Sequence, residues 1–119
     1  MELDFYLHRK LMFKAWNKET KLLMRLNAID CVRGELQKKN HVLLQFTGLH
    51  DRHQEEIYEL DVLLIHNNKK VVVWNAERNG WDIVALSDLS VCEPFLKPIA
   101  SQVVRICNYF ETEIANQIK

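Results

Sequence analysis

The chain has 119 residues, 48% of them apolar and 27% charged, with 16 Lys plus Arg balanced by 16 Asp plus Glu. These values describe one globular domain, long enough to bury a core without covalent staples. A formal net charge of zero argues against a protein whose main task is coating nucleic acid, which needs many phosphate-neutralising side chains. It also leaves little repulsion between copies, so a homodimer is compatible with it.

Met1 to Lys10 places Leu3, Tyr6 and Leu7 at helical spacing, enough for a short amphipathic helix. Glu2 and Asp4 stand where a secretion signal carries lysines, and no apolar run approaches the roughly 18 residues of a membrane span. A cytoplasmic chain with no membrane partner is the expectation. Leu11 to Trp16 reads as a strand, Asn17 to Thr20 as a turn and Lys21 to Leu26 as the returning strand. Ala28 to Asn40 is mixed and polar and gives no assignment. His41 to Phe46 puts Val42, Leu44 and Phe46 on one face of a strand, and Tyr58, Leu60, Val62 and Leu64 do the same on the next.

Asn67-Asn68 signals a turn. Lys70 to Trp74 is the most β-prone run. Asn79-Gly80 then supplies both φ > 0 residues of a type I′ turn, with Trp81 to Leu86 returning. Ser87 to Ser90 opens a short helix, and Pro94 and Pro98 keep the following stretch irregular. Gln102 to Cys107 is a closing strand. Glu111 to Ile118, acids first and Lys119 last, suits a C-terminal helix. Many short strands on short turns predict a mainly β fold over residues 1–119: a small antiparallel barrel-like sheet with short N- and C-terminal helices.

Three stretches resemble the YopX family of small phage and prophage proteins. Phe13-Lys14-Ala15-Trp16-Asn17-Lys18 is similar to its Phe-Arg-Ala-Trp-Asp-Lys opening. Gln45 to Leu49, then a polar turn, then Glu56 to Val62 resemble its Gln-Tyr/Phe-Thr-Gly-Leu and Glu-Ile-Tyr-Glu-Gly-Asp-Ile-Val segments. Val104 to Glu111 is similar to its Val-Ile-Gly-Asn-Ile-Tyr-Glu tail. The family-like core spans residues 11–118, with 1–10 as an N-terminal extension. The resemblance implies a barrel-like β fold and a phage or prophage origin; it does not imply an enzymatic activity. Three family glycines are replaced. The turn Asn-Gly is His53-Gln54, the glycine before Asp61 is Leu60, and the tail glycine is Cys107. Neither His53 nor Gln54 sits cheaply at φ > 0, so a different turn is expected there.

The densest polar cluster is His50-Asp51-Arg52-His53-Gln54-Glu55-Glu56. Two imidazoles and a carboxylate can hold a divalent metal only with a further ligand such as Glu55 or His66. The simpler reading is a solvated loop, and its divergence makes it, with the N-terminal extension, the expected partner-docking surface. Glu59 and Asp61 share one face of an alternating strand, opposite the Tyr58 to Leu64 stripe, which reads as a solvated outer face. The basic doublets Arg9-Lys10, Lys38-Lys39 and Lys69-Lys70, interleaved with Trp74, Trp81 and Tyr109, offer a surface for single-stranded nucleic acid. The simpler reading is charged surface plus core aromatics.

Cys31, Cys92 and Cys107 are odd in number and form no CxxC, which predicts free, small apolar core residues in a reducing compartment. No phosphate-binding loop, dinucleotide fingerprint, nucleophile elbow or HExxH is present. No catalytic residue, metal or cofactor is assigned. The expectation is a non-enzymatic interaction module in the host bacterial cytoplasm. It would dock on a host or phage protein, for example as an inhibitor of a host defence nuclease such as a CRISPR effector. The alternative is a nucleic-acid-binding small β-barrel.

Overall fold

The computed structural model describes residues 7–112. It is mostly β, an antiparallel half-barrel in which the strands curl round a shared interior. One sheet has the order β2 (Leu23–Arg25), β1 (Phe13–Asn17), β5 (His41–His50) and β6 (Glu56–Tyr58). The second runs β10 (Asp88–Pro94), β9 (Gly80–Ala85), β8 (Asn68–Asn75), β7 (Asp61–Ile65) and β11 (Val104–Asn108). A separate hairpin pairs β3 (Asp30–Val32) with β4 (Glu35–Gln37). It fills the stretch to which pattern gave no assignment, and every one of its strand residues is exposed. Two short helical segments complete the fold: α1 (Lys97–Ala100) and a turn at 109–112.

Alternation builds the core. Val72 and Ile83 are cross-strand partners on β8 and β9 and lie on the face that carries Leu63 of β7. With Ile57, Phe95, Ala100 and Val103 they form one buried cluster, capped by Leu49, Ile65, Trp81 and Ile99. In the first sheet Trp16, Leu44, Phe46 and Tyr58 are buried. Trp16 stacks on Phe110, with ring centroids 5.1 Å apart, and so ties the C-terminal turn to β1.

Turn chemistry differs from the expected pattern in several places. Val71 to Trp74 does pair with Trp81 to Val84, but Asn75 pairs with Gly80, leaving a four-residue loop at 76–79. Only Asn79 there is left-handed, at φ 59°. The reason is Asn75, whose Oδ1 accepts the backbone N–H groups of Glu77 and Arg78 and closes the longer loop. The tight hairpin with two left-handed residues is instead His66 (φ 48°) and Asn67 (φ 66°), between β7 and β8.

Ser87 to Ser90 is not helical. Asp88 Oδ1 accepts both the backbone N–H and the hydroxyl of Ser90, a local bond that competes with helix, and Asp88 pairs with Ala85 on β9. Pro98 does not keep its stretch irregular. It sits in the first turn of α1, where a missing N–H costs nothing.

Of the expected N-terminal helix, residues 1–6 lie outside the described residues and residues 7–10 are not helical. Of the C-terminal helix, residues 109–112 are helical and those from 113 on lie outside the described residues. Cys31 and Cys92 are exposed and Cys107 is half-buried, so the cysteines are not core residues. All three are free. No described helix is long and apolar enough to cross a membrane.

Candidate functional site

The loop after β5 is held by one side chain. Asp51 is buried. Its Oδ1 accepts the backbone N–H of His53 at 2.8 Å and of Glu55 at 2.9 Å, and its Oδ2 accepts that of Arg105 at 2.9 Å. The main chain closes the same loop, with Asp51 N–H donating to the Glu55 carbonyl and Gln54 N–H to that of Asp51. Burial works against the charged form of Asp51, but the three N–H donors outweigh it and hold the carboxyl below its usual value. Gln54 is left-handed at φ 67°. Gln54, which stands where the family has glycine, thus takes a positive φ despite its side chain. Asp51 supplies the compensating bonds.

The cluster thus separates into unlike parts. Asp51 faces inward and is structural. Arg52, His53, Gln54 and Glu55 are exposed. His50 closes β5 opposite Glu56 and lies edge-on to Phe46, 5.5 Å between centroids. Glu56 accepts from Arg25 at 3.0 Å. Among the described residues, no three His, Cys, Asp or Glu side chains come together as a metal site.

Behind this loop runs a charged seam between the two sheets. The stretch Tyr58 to Leu64 is not one strand. It breaks at Glu59-Leu60, where Leu60 is left-handed at φ 64° in the position of the family glycine. The break reverses the expected exposure, since Asp61 is fully buried and Glu59 half-buried rather than solvated. Asp61 Oδ2 accepts Tyr58 N–H at 2.8 Å and Arg105 Nε at 2.9 Å, while its Oδ1 accepts Asn108 Nδ2 at 3.1 Å. Asn108 Nδ2 also reaches the Glu59 carbonyl. Burial pushes the Asp61 and Glu59 carboxyls up. Among the described residues no buried side-chain polar atom lacks a hydrogen-bond partner.

On the open side of the seam three cations meet. Lys14 and Arg25 are directly opposite each other on β1 and β2, and Arg105 comes from β11. The three line a cleft of about 280 Å³ together with Glu55 and Glu56. Arg25 has Glu56, and Arg105 has Asp61 at 2.9 Å and Glu111 at 3.9 Å. Lys14 Nζ lies 4.5 Å above the centre of the Tyr58 ring. Burial, then the charge of Arg105, lower its pKa.

Sequence reading did not single out Lys14, Arg25 or Arg105. One signal was available, because Lys14 alternates onto the face of Trp16 inside an apolar strand, where a cation needs a reason.

The basic doublets are not brought together. Lys70 is paired with Glu93 at 2.8 Å. His8, Arg9 and Lys10 line a separate groove of about 350 Å³ with Trp81, Phe46 and Gly48, and neither Lys38-Lys39 nor Tyr109 reaches it. Trp74 packs edge-to-face on Trp81.

A half-barrel in which a polar loop and a buried Asp–Arg–Asn knot join two sheets defines a small antiparallel β domain. The chain belongs to the YopX protein family, whose model matches residues 6–101. The tail that carries Arg105 and Asn108 lies beyond that match. The fold is similar to that of protein EF1440 from Enterococcus faecalis, with a TM-score of 0.64, over 89% of this chain and 97% of that one, at 16% identity. No curated protein matches the sequence.

Proposed function

We propose that this protein is a non-enzymatic accessory protein of a phage or prophage that acts by docking on a protein partner. The partner is a host factor, and the concrete form of the proposal is inhibition of a host defence nuclease such as a CRISPR effector. The observation that carries the reading is the 50–56 loop. Asp51 fixes its backbone from inside, while Arg52, His53, Gln54 and Glu55 are held outward. Among the described residues the side chains of these four make no hydrogen bond or ion pair, and Asp51 holds only the backbone N–H groups of His53 and Glu55. A surface already ordered in its binding shape loses little conformational entropy on association.

The test is capture of the tagged protein from nuclease-treated host lysate, beside a variant with Arg52, His53, Gln54 and Glu55 all changed to Ala. One stoichiometric host protein, retained by the wild type and lost by the variant, is the expected result. Equal capture by both chains removes the loop from the interface. For a CRISPR effector, the purified pair then shows target cleavage suppressed by the wild type alone.

A second reading, a nucleic-acid-binding module, is favoured by the groove that sets Arg9 and Lys10 beside Trp81. It predicts single-strand binding that weakens steeply with salt. No probe retarded at low salt ends it.

A further inference from the structure

We propose that the cleft between β1, β2 and β11 is a carboxylate-binding site in which Lys14 is the receiving cation. The proposal deepens the docking reading above, on which it rests, by naming the group that a partner inserts: the side chain of an Asp or Glu.

Three facts converge on it. Like charges directly opposite on neighbouring strands destabilise a sheet, yet Lys14 and Arg25 are cross-strand partners and Arg105 faces the same cleft. Two of the three cations are compensated, Arg25 by Glu56 and Arg105 by Asp61. Among the described residues no carboxylate lies within 4.0 Å of Lys14 Nζ; the Tyr58 ring is in contact with it, and Asp61 and Glu111 act on it only from farther away. A half-buried ammonium with no carboxylate in contact is a cost that the fold carries until an anion arrives.

The surroundings select the anion. Glu55 and Glu56 flank the cleft, and Glu111 lines its neighbour, where Lys14, Arg25 and Arg105 recur. Those three carboxylates repel a dianion such as phosphate more than a monoanion. Arg25 uses Nη1 for Glu56, and Arg105 uses Nε for Asp61. Each guanidinium therefore keeps further N–H donors. One carboxylate can accept from Lys14 with one oxygen and from a guanidinium edge with the other. The same two glutamates belong to the exposed loop, so an acidic side chain seated here brings its own chain against Arg52 and His53.

The experiment measures the melting temperature of the full chain in acetate, chloride, phosphate and a tetraglutamate peptide at matched ionic strength. Wild type and Lys14→Met are compared. A ligand that binds only the folded state raises the melting temperature. The expected result is a rise with acetate over chloride that Lys14→Met abolishes, its affinity falling about tenfold or more with the loss of one charged hydrogen bond. A peptide that outperforms acetate identifies an acidic chain as the source, and acetate outperforming the peptide identifies a free small carboxylate. Phosphate matching acetate, no acetate effect, or an equal effect in the variant overturns the proposal. Should Lys14→Met fail to fold, acetate titration of the wild type followed at the Lys14 side-chain resonances decides, because a resonance that does not move rules the site out. Failure here with capture intact places docking elsewhere on the surface. Success here with no captured partner leaves the carboxylate site standing and removes the docking reading.

Discussion

The two sides of the charged seam use similar side chains to opposite ends. On the buried side, Asp61 accepts from Tyr58, Arg105 and Asn108 and is sealed from solvent. On the open side, Lys14 and Arg25 face each other and Lys14 has an aromatic ring for company. Both oxygens of Asp61 are met by donors, so its charge fixes the geometry of the β6–β7 break and the entry of β11. On the second side Arg25 is paired with Glu56, while Lys14 has no carboxylate within 4.0 Å among the described residues. Charge alone therefore does not separate structure from function in this molecule. The presence or absence of partners does.

That contrast can be broken from its stable side first. Arg105→Met strands a buried carboxylate and is expected to cost about 3–5 kcal/mol, the range for removing one member of a buried pair, read by urea unfolding. Replacing Asp61 and Asn108 with apolar residues in the same background should recover part of that loss, since the orphaned charge goes too.

Asp51→Asn comes next. It presents an amide N–H towards a backbone donor and should cost about 1–3 kcal/mol at neutral pH. The sign of its pH dependence follows from the depressed carboxyl. Its contribution is fully present above the unfolded value of about 3.9 and is lost as pH falls through the lower folded value. Wild type should therefore lose more stability than Asp51→Asn between neutral pH and acid. Asp61, whose carboxyl is raised by burial, gains as pH falls, so the difference between the two unfolding curves is the quantity to read.

Gln54→Gly sharpens the comparison by relieving a left-handed side chain at φ 67° without touching Asp51. It should raise stability by about 1 kcal/mol, visible as a higher urea midpoint with unchanged slope. Leu36→Ala, in the exposed β3–β4 hairpin, should change stability by less than about 0.5 kcal/mol.

Much of the fold was legible from alternation. Val42, Leu44 and Phe46 on β5, and Val71 to Trp74 against Trp81 to Val84, pair as the pattern implies. Two of the misreadings share one cause, side-chain capture of backbone groups: Asn75 lengthens a turn, and Asp88 replaces a helix by a strand start. Such bonds depend on rotamers and neighbours that residue type does not reveal.

The site was half legible. The 50–56 cluster stood out by composition, and its outward residues are where polarity predicts. Asp51 and Asp61 read as solvated carboxylates because the break at Glu59-Leu60, which turns Asp61 inward, is hidden when leucine stands in place of glycine. Lys14 and Arg25 are opposite each other in one hairpin, but Arg105 comes from β11 near the other end of the chain, and only the fold brings it to them.

The most direct test of this division is urea unfolding of Lys14→Met beside the wild type in chloride buffer. A cation held for a partner's carboxylate contributes nothing to folding, so the variant should match the wild type to within about 0.5 kcal/mol or exceed it. A loss comparable to that of Arg105→Met would show that Lys14 belongs to the structural side of the seam and would contradict the account.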